Sequence, residues 1–135
     1  IPEFSGVMMS QPNEGDSNED TFLLAPEIAN FKLEADLAIL SACDTGLGAL
    51  TEGEGINGLN SAFLVAGANN TLLSLWAVDD YSTALTMKNL FRLMLKENMD
   101  SFEAINFIKR AMAKGEGGEK YSAPMYWAPF VLNGR

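Results

Sequence analysis

Apolar and polar positions alternate along the chain in blocks that predict strands separated by helices. Three short, continuous apolar runs cover 36–42, 71–78 and 126–132, a pattern typical of strands buried on both faces of a sheet. Between these runs, apolar residues recur at the three- and four-residue spacing of helices. The order of strand, helix, strand, two helices and strand predicts an α/β fold with a mostly parallel sheet flanked by helices.

The apolar spacing also predicts which face of each helix is buried. The first helix starts near Ile56, stops at Gly67, and has its apolar face on Leu59, Ala62, Phe63 and Ala66. The second is capped by Asp79 or Asp80, with a predicted stripe of Ala84, Met87, Leu90, Phe91, Met94 and Leu95. The third follows Asp100 or Ser101 and has its stripe on Phe102, Ile105, Ile108 and Met112. Upstream, 6–9 is a candidate short strand and 21–30 a candidate short helix.

The formal net charge is −9, and it is unevenly distributed. Up to Met87 the only basic residue is Lys32, against thirteen acids, whereas eight bases and five acids follow from Lys88 onward. This balance argues against nucleic acid or an anionic membrane as a partner. No apolar run approaches the roughly 18 residues of a membrane helix.

Cys43 is the only cysteine, and the chain contains no histidine. A single cysteine cannot form an internal disulfide, which fits a reducing, cytoplasmic location. With one thiol, no imidazole and no recognised ligand spacing among the acids, we expect no metal and no cofactor.

Two short motifs suggest other activities, and their contexts argue against them. Residues 53–58 spell G-x-G-x-x-G, but about ten residues separate them from the preceding strand, so a turn that leads into a packed helix explains the glycines better than a dinucleotide site. The triplet 44–46 (DTG) matches aspartic peptidases, which are built from strands, whereas helical periodicity dominates this chain.

Cys43 follows the first predicted strand directly and is the main candidate for chemistry. In parallel α/β sheets, ligands collect beyond the carboxyl ends of the strands. A lone cysteine is otherwise a small buried apolar residue. As a nucleophile it needs a base and an oxyanion hole, and no Cys–His dyad can form within a chain that lacks histidine.

Five motifs, taken in order, resemble the CHAT domain, a caspase-like cysteine peptidase family that is often fused to tetratricopeptide repeats. They are 40–48 (LSACDTGLG), 53–55 (GEG), 62–63 (AF) with 66–68 (AGA), 74–80 (SLWAVDD) and 126–132 (YWAPFVL). The resemblance spans about residues 20 to 134. It implies a caspase-type sheet and endopeptidase activity by a His–Cys dyad. Cys43 is then the nucleophile, and its N–H is part of the oxyanion hole.

The family's histidine precedes a segment that matches 5–9, so we expect residues 5–135 to be the C-terminal half of one CHAT domain. Residues 1–4 (IPEF) are typical of an expression vector. The expected partners are a protein or peptide substrate, the upstream half of the domain and tetratricopeptide repeats. We expect the chain alone to lack activity and to self-associate. The alternative is a non-catalytic, caspase-fold regulatory or interaction module whose cysteine is structural.

Three aspartates are candidate substrate contacts. If the first two strands are parallel neighbours, Asp79 lies close to Cys43, and Asp79 or Asp80 forms, with Asp44, an acidic wall for a basic side chain that precedes the scissile bond. The competing interpretation is that Asp79 and Asp80 cap the following helix and favour its dipole. Trp76 and Trp127 are expected to be core aromatics.

Overall fold

The computed structural model describes residues 6–8, 22–40 and 54–134. Its strands are β1 (Gly6–Met8), β2 (Phe22–Leu24), β3 (Ala35–Leu40), β4 (Ala68–Ser74) and β5 (Phe130–Gly134). Its α-helices are α1 (Ala25–Ala29), α2 (Glu54–Ala66), α3 (Asp80–Lys96) and α4 (Ser101–Ala113), and 3-10 turns cover Glu119–Ser122 and Pro124–Tyr126. The combination of helices and sheets confirms the α/β class.

The strands form two sheets. Strands β1 and β2 pair antiparallel, with Gly6 opposite Leu24, and β3, β4 and β5 form a three-stranded sheet in that order. Strands β3 and β4 begin at the same end, since the Asn69 Nδ2 donates to the Asp36 Oδ1 at 3.2 Å. Strand β5 instead ends there, because Gly134 lies against Asn69 and Asn70. The described sheet is therefore mixed, with β3 parallel and β5 antiparallel to β4.

The described residues fall into two compact units. The first unit includes 6–8, 22–38, 54–71 and 134, and the second includes 39–40 and 72–133. In the first, helix α1 packs on helix α2. One buried cluster of this unit consists of Ala25, Ile28 and Ala62, and Val7, Leu23, Ala29, Leu59 and Phe63 pack around it.

Local signals fix the helix ends of the first unit. Helix α1 begins at Ala25, where the Glu27 carboxylate accepts from the Leu24 N–H at 2.8 Å, and Pro26 lies in its first turn. Helix α2 ends before Gly67, as its spacing predicts. The φ of Gly67 is +115°, and a Cβ there would lie 2.1 Å from the Leu33 carbonyl oxygen, so only glycine fits this turn.

In the second unit, helix α3 packs against helix α4. Asp100 caps α4 by accepting from the Glu103 N–H at 2.9 Å. The buried residues of α4 are Ser101, Ala104, Ile105, Ile108 and Met112, so its predicted stripe is confirmed except for Phe102, which is exposed.

Helix α3 buries a different face from the predicted one. Its buried residues are Ser82, Thr86, Leu90 and Leu93, so of the predicted stripe only Leu90 is fully buried. Two small polar residues serve as core positions because their hydroxyls have partners within the second unit. The Ser82 hydroxyl bonds to Asp79, and the Thr86 hydroxyl donates to the sulfur of Met112 on α4 at 3.5 Å. The predicted stripe of α3 is wrong.

The ends of three further elements also differ from the sequence prediction. Strand β4 starts three residues before Thr71 and stops at Ser74, whose hydroxyl donates to the Trp76 carbonyl at 2.6 Å and closes a turn. Strand β5 starts at Phe130 because the chain from Pro124 turns first, with the Ala128 N–H donating to the Pro124 carbonyl at 2.8 Å. The expected helix over 21–30 is strand β2 followed by the single turn of α1.

Candidate functional site

Asp79 is the N-cap of helix α3 and follows the loop that leaves strand β4. Its backbone is extended, at φ −62° and ψ 155°, and its carboxylate accepts from the Ser82 N–H at 2.9 Å and from the Ser82 hydroxyl. These bonds satisfy an N–H that the helix itself leaves unpaired. The capping interpretation of Asp79 is thereby confirmed.

The same contacts set the protonation of Asp79. The hydrogen bond from the Ser82 hydroxyl, then the one from the Ser82 N–H, lowers the pKa of the Asp79 carboxyl, and the charge of Lys120 adds to this effect. Asp79 is therefore a stable anion whose Oδ1 accepts both of these hydrogen bonds. Asp80, the first residue of α3, is exposed.

Aromatic side chains lie next to this helix start. The ring of Tyr121 is 4.9 Å from that of Tyr81 and 5.0 Å from that of Tyr126, and the second pair is edge-to-face. The Lys120 Nζ lies 5.4 Å from the centre of the Tyr121 ring. Tyr81 is 57% exposed, so this tyrosine cluster offers aromatic surface to a ligand beside Asp80.

Sequence reasoning missed the tyrosine cluster. Its members come from the first turn of α3 and from the two 3-10 turns, about forty residues further on. No periodicity connects positions so far apart. The one available signal was the concentration of tyrosines in 121–126, beside a flexible-looking Gly/Glu loop.

Trp76 corrects a second expectation. It is 44% exposed in the turn after β4, and its indole Nε1 donates to the Met125 carbonyl at 3.1 Å. Trp127 is half-buried, and its Nε1 donates to the Ser122 carbonyl at 3.0 Å. Neighbouring Leu75 is also exposed, so the turn after β4 presents apolar side chains rather than continuing the core.

Cys43 and Asp44, the predicted nucleophile and one predicted substrate contact, lie outside the described residues. The described part of β3 ends at Leu40, three positions earlier in the chain, and β3 neighbours β4 in the sheet. Their predicted roles therefore stay predictions.

The described residues contain no group of three or more His, Cys, Asp or Glu side chains placed to hold a metal ion. Within the same residues, no helix is both long and apolar enough to cross a membrane.

Comparison with known proteins identifies the family. The sequence model of the CHAT domain family matches residues 1–135. This chain belongs to the CHAT domain family. Among curated proteins, it is similar to tetratricopeptide repeat protein 28 of Mus musculus, with 27% identity over 115 residues, and of Homo sapiens, with 26% identity over 116 residues.

These alignments cover 85% and 86% of this CHAT domain chain but only 4% of each relative. The chain thus matches a small part of two much longer proteins whose names record tetratricopeptide repeats. No solved structure matches the chain.

Proposed function

We propose that this CHAT domain takes part in peptide-bond hydrolysis, with Cys43 as the nucleophile of a His–Cys dyad. The observation that carries the proposal is the family match, because CHAT domains are caspase-like in general. It is supported by the sequence position of the sole thiol, three residues after the end of β3, a strand that neighbours β4. Since the 135 residues contain no histidine, the base is supplied from outside them.

The proposed chemistry has two steps. The external imidazole takes the proton of the Cys43 thiol, the thiolate attacks the peptide carbonyl carbon, and the Cys43 N–H helps to hold the oxyanion. The C–N bond breaks, the amine leaves with the proton from the imidazole, and a thioester remains. Water then adds to the thioester, which releases the acid and restores the thiol.

The proposed substrate is a protein or peptide with a basic side chain before the scissile bond. Asp80 supports this because it is exposed at the start of α3, and the tyrosine cluster beside it can stack on a cationic group. Asp79 contributes mainly charge, since its Oδ1 already accepts both hydrogen bonds from Ser82, and the charge of Lys120 offsets part of its own. Asp44 stays a proposed contact from its position next to Cys43.

The reaction rate of Cys43 with iodoacetamide tests the catalytic role. For the chain alone we expect the rate to follow an ordinary thiol pKa near 8.5 and peptide hydrolysis to be negligible. Adding the histidine-bearing segment of a CHAT domain is expected to create a thiolate that reacts well below pH 7. Cys43→Ala is the control for both measurements. Cys43-dependent hydrolysis by the chain alone would contradict the proposed origin of the base.

A second candidate is a non-catalytic interaction module. Two observations favour it: the chain resembles tetratricopeptide repeat proteins, and large apolar side chains of α3 and α4 are exposed. If this is correct, the Cys43 thiol keeps its ordinary reactivity even when the histidine-bearing segment is present.

We also propose the upstream half of a CHAT domain and tetratricopeptide repeats as partners, and the cytoplasm as the location, where a lone thiol stays reduced. For the chain alone we propose self-association through β3, which has no described strand on its outer edge. Light scattering of the chain alone checks this, and a compact monomer would count against it.

A further inference from the structure

Helix α3 carries a second apolar face besides the one that it buries. We call this face the outer stripe: Ala84, Met87, Phe91, Met94 and Leu95. At 100° per residue, Ala84, Phe91 and Leu95 lie opposite the buried face of Leu90 and Leu93, whereas Met87 and Met94 lie at its border and are half-buried. Leu95 is 75% exposed and Phe91 is 47% exposed, so the stripe is open to a partner.

A row of bases borders the outer stripe along one edge. Lys88, Arg92 and Lys96 follow one another at intervals of four residues, and all three are exposed. Arg92 forms an ion pair with Glu97. Among the described residues, neither Lys88 nor Lys96 has a salt-bridge partner. This basic row stands out on a chain whose net charge is −9.

The dimensions of the surface suit a helix. The outer stripe extends for about 16 Å, or three turns, at 1.5 Å per residue. An apolar ridge of this length can pack against the apolar face of an amphipathic helix. The positive charge along one border of the ridge then matches a helix whose apolar face is bordered by negative charge.

We propose that the outer stripe of α3 docks an amphipathic helix of a partner protein whose apolar face is bordered by acidic side chains. The basic row favours negative charge along the border of the partner helix, and Phe91 and Leu95 are the apolar anchors. A second copy of this face fits poorly, because it carries three bases against two nearby acids, Asp80 and Glu97, and Glu97 is already paired with Arg92. An anionic membrane fits poorly as well, because the net charge of the chain repels it.

Two designed peptides test the proposal on the full 135-residue chain. Both are Ala-rich helices of about 20 residues, long enough to fold alone, with the same leucine face. One has glutamates along an edge and the other has lysines. Fluorescence anisotropy is expected to show binding of the glutamate peptide only, and raising NaCl from roughly 50 to 500 mM should weaken it several-fold.

Substitutions then locate the site. Leu95→Asp is expected to weaken binding about tenfold or more, because it places a charge in the apolar contact. Lys88→Glu combined with Lys96→Glu should transfer the preference to the lysine peptide. Val65→Asp is the matched apolar control, since Val65 is 72% exposed on α2, and Lys32→Glu is the charge control. Urea unfolding of each variant shows that it is folded.

Each alternative occupant has its own readout. Equal binding of both peptides, or no binding of the glutamate peptide, overturns the proposal. A dimer of the chain that Leu95→Asp dissolves identifies a second copy as the occupant and also overturns it. Cosedimentation of the chain with phosphatidylserine vesicles that Leu95→Asp abolishes identifies a membrane as the occupant, and this result also overturns the proposal.

Discussion

At the scale of single residues, Asp79 joins the end of the β4 loop to the start of α3. Its carboxylate receives two hydrogen bonds from Ser82, and that pairing also lets Ser82 occupy a fully buried position on the helix. Without the carboxylate, the buried hydroxyl of Ser82 loses its main partner. One side chain therefore fixes both the helix start and a polar core residue.

We expect Asp79 to make the stability of the chain depend on pH. Its pKa is lower in the folded chain than in the unfolded one, so its contribution is present above the ordinary carboxyl pKa of about 4 and is lost as the pH falls through the lower folded value. Asp79→Asn keeps an oxygen acceptor for the cap but does not titrate. In urea unfolding, the free energy of unfolding of the unaltered chain should exceed that of Asp79→Asn at about pH 6, and this difference should shrink as the pH falls to about 2.5.

Asp80→Asn is the control for this pH series. It removes an equal charge one position along and leaves the Asp79 cap in place, so the acid-sensitive contribution should be retained. A difference in free energy of unfolding between the unaltered chain and Asp79→Asn that stays the same at all pH values would falsify the prediction.

At the scale of elements, helix α3 has two apolar sides and helix α4 has one. The buried face of α3 is marked by Ser82 and Thr86 as well as by Leu90 and Leu93, whereas its outer stripe is the more hydrophobic. A hydrophobic pattern alone selects the wrong side of such a helix, because it ignores hydroxyls that find partners in the core.

Two leucines on α3 test which side is the core. Leu93 is 2% exposed and Leu95 is 75% exposed, although they lie two positions apart and share the same intrinsic helix propensity. We expect Leu93→Ala to lower the free energy of unfolding by about 2–5 kcal/mol, because it leaves a cavity. Leu95→Ala should change it by about 0.5 kcal/mol at most. Urea unfolding measures both, and similar losses would mean that the outer stripe is packed within the molecule.

Local signals in the sequence were sufficient for helix ends and insufficient for strand ends. Asp79 and Asp100 cap their helices through contacts made within a few residues, so the sequence predicts these helix starts. Gly67 is recognisable as a helix stop from its residue type, although the Leu33 carbonyl that requires glycine there lies more than thirty positions earlier. The end of β4 depends instead on the turn that Ser74 closes and on Pro129, whose carbonyl accepts from the Leu75 N–H at 3.0 Å. That partner lies more than fifty positions away, where no local pattern reveals it.

The candidate site likewise has features that short sequence motifs predict and features that they do not. Capping by Asp79 follows from a short motif, and the family resemblance followed from five motifs read together. The exposure of Trp76 and the meeting of Tyr81 with Tyr121 arise from long-range packing, which the spacing of apolar residues does not reveal.

At the scale of the whole molecule, the dominant feature is the uneven charge. Thirteen acids and one base precede Lys88, and this repulsion opposes a compact state while it favours solubility. Glu34 and Lys32 are exposed neighbours in the acidic part, and neither makes a hydrogen bond or ion pair with the described residues. Substitutions of these two residues therefore measure the electrostatic effect of the surrounding charges rather than the loss of a specific contact.

Neutralising these two residues should change stability in opposite directions. Glu34→Gln removes one of many like charges and is expected to raise the free energy of unfolding by a few tenths of a kcal/mol at low salt. Lys32→Gln removes the only compensating base of this part and should lower it by about the same amount. Both differences should fade as NaCl rises from about 20 to 300 mM, since the screening length becomes shorter than the spacing between most surface charges. Urea unfolding at several salt concentrations measures this, and shifts of the same sign in both variants would show that local contacts, not the field of the acidic half, govern these positions.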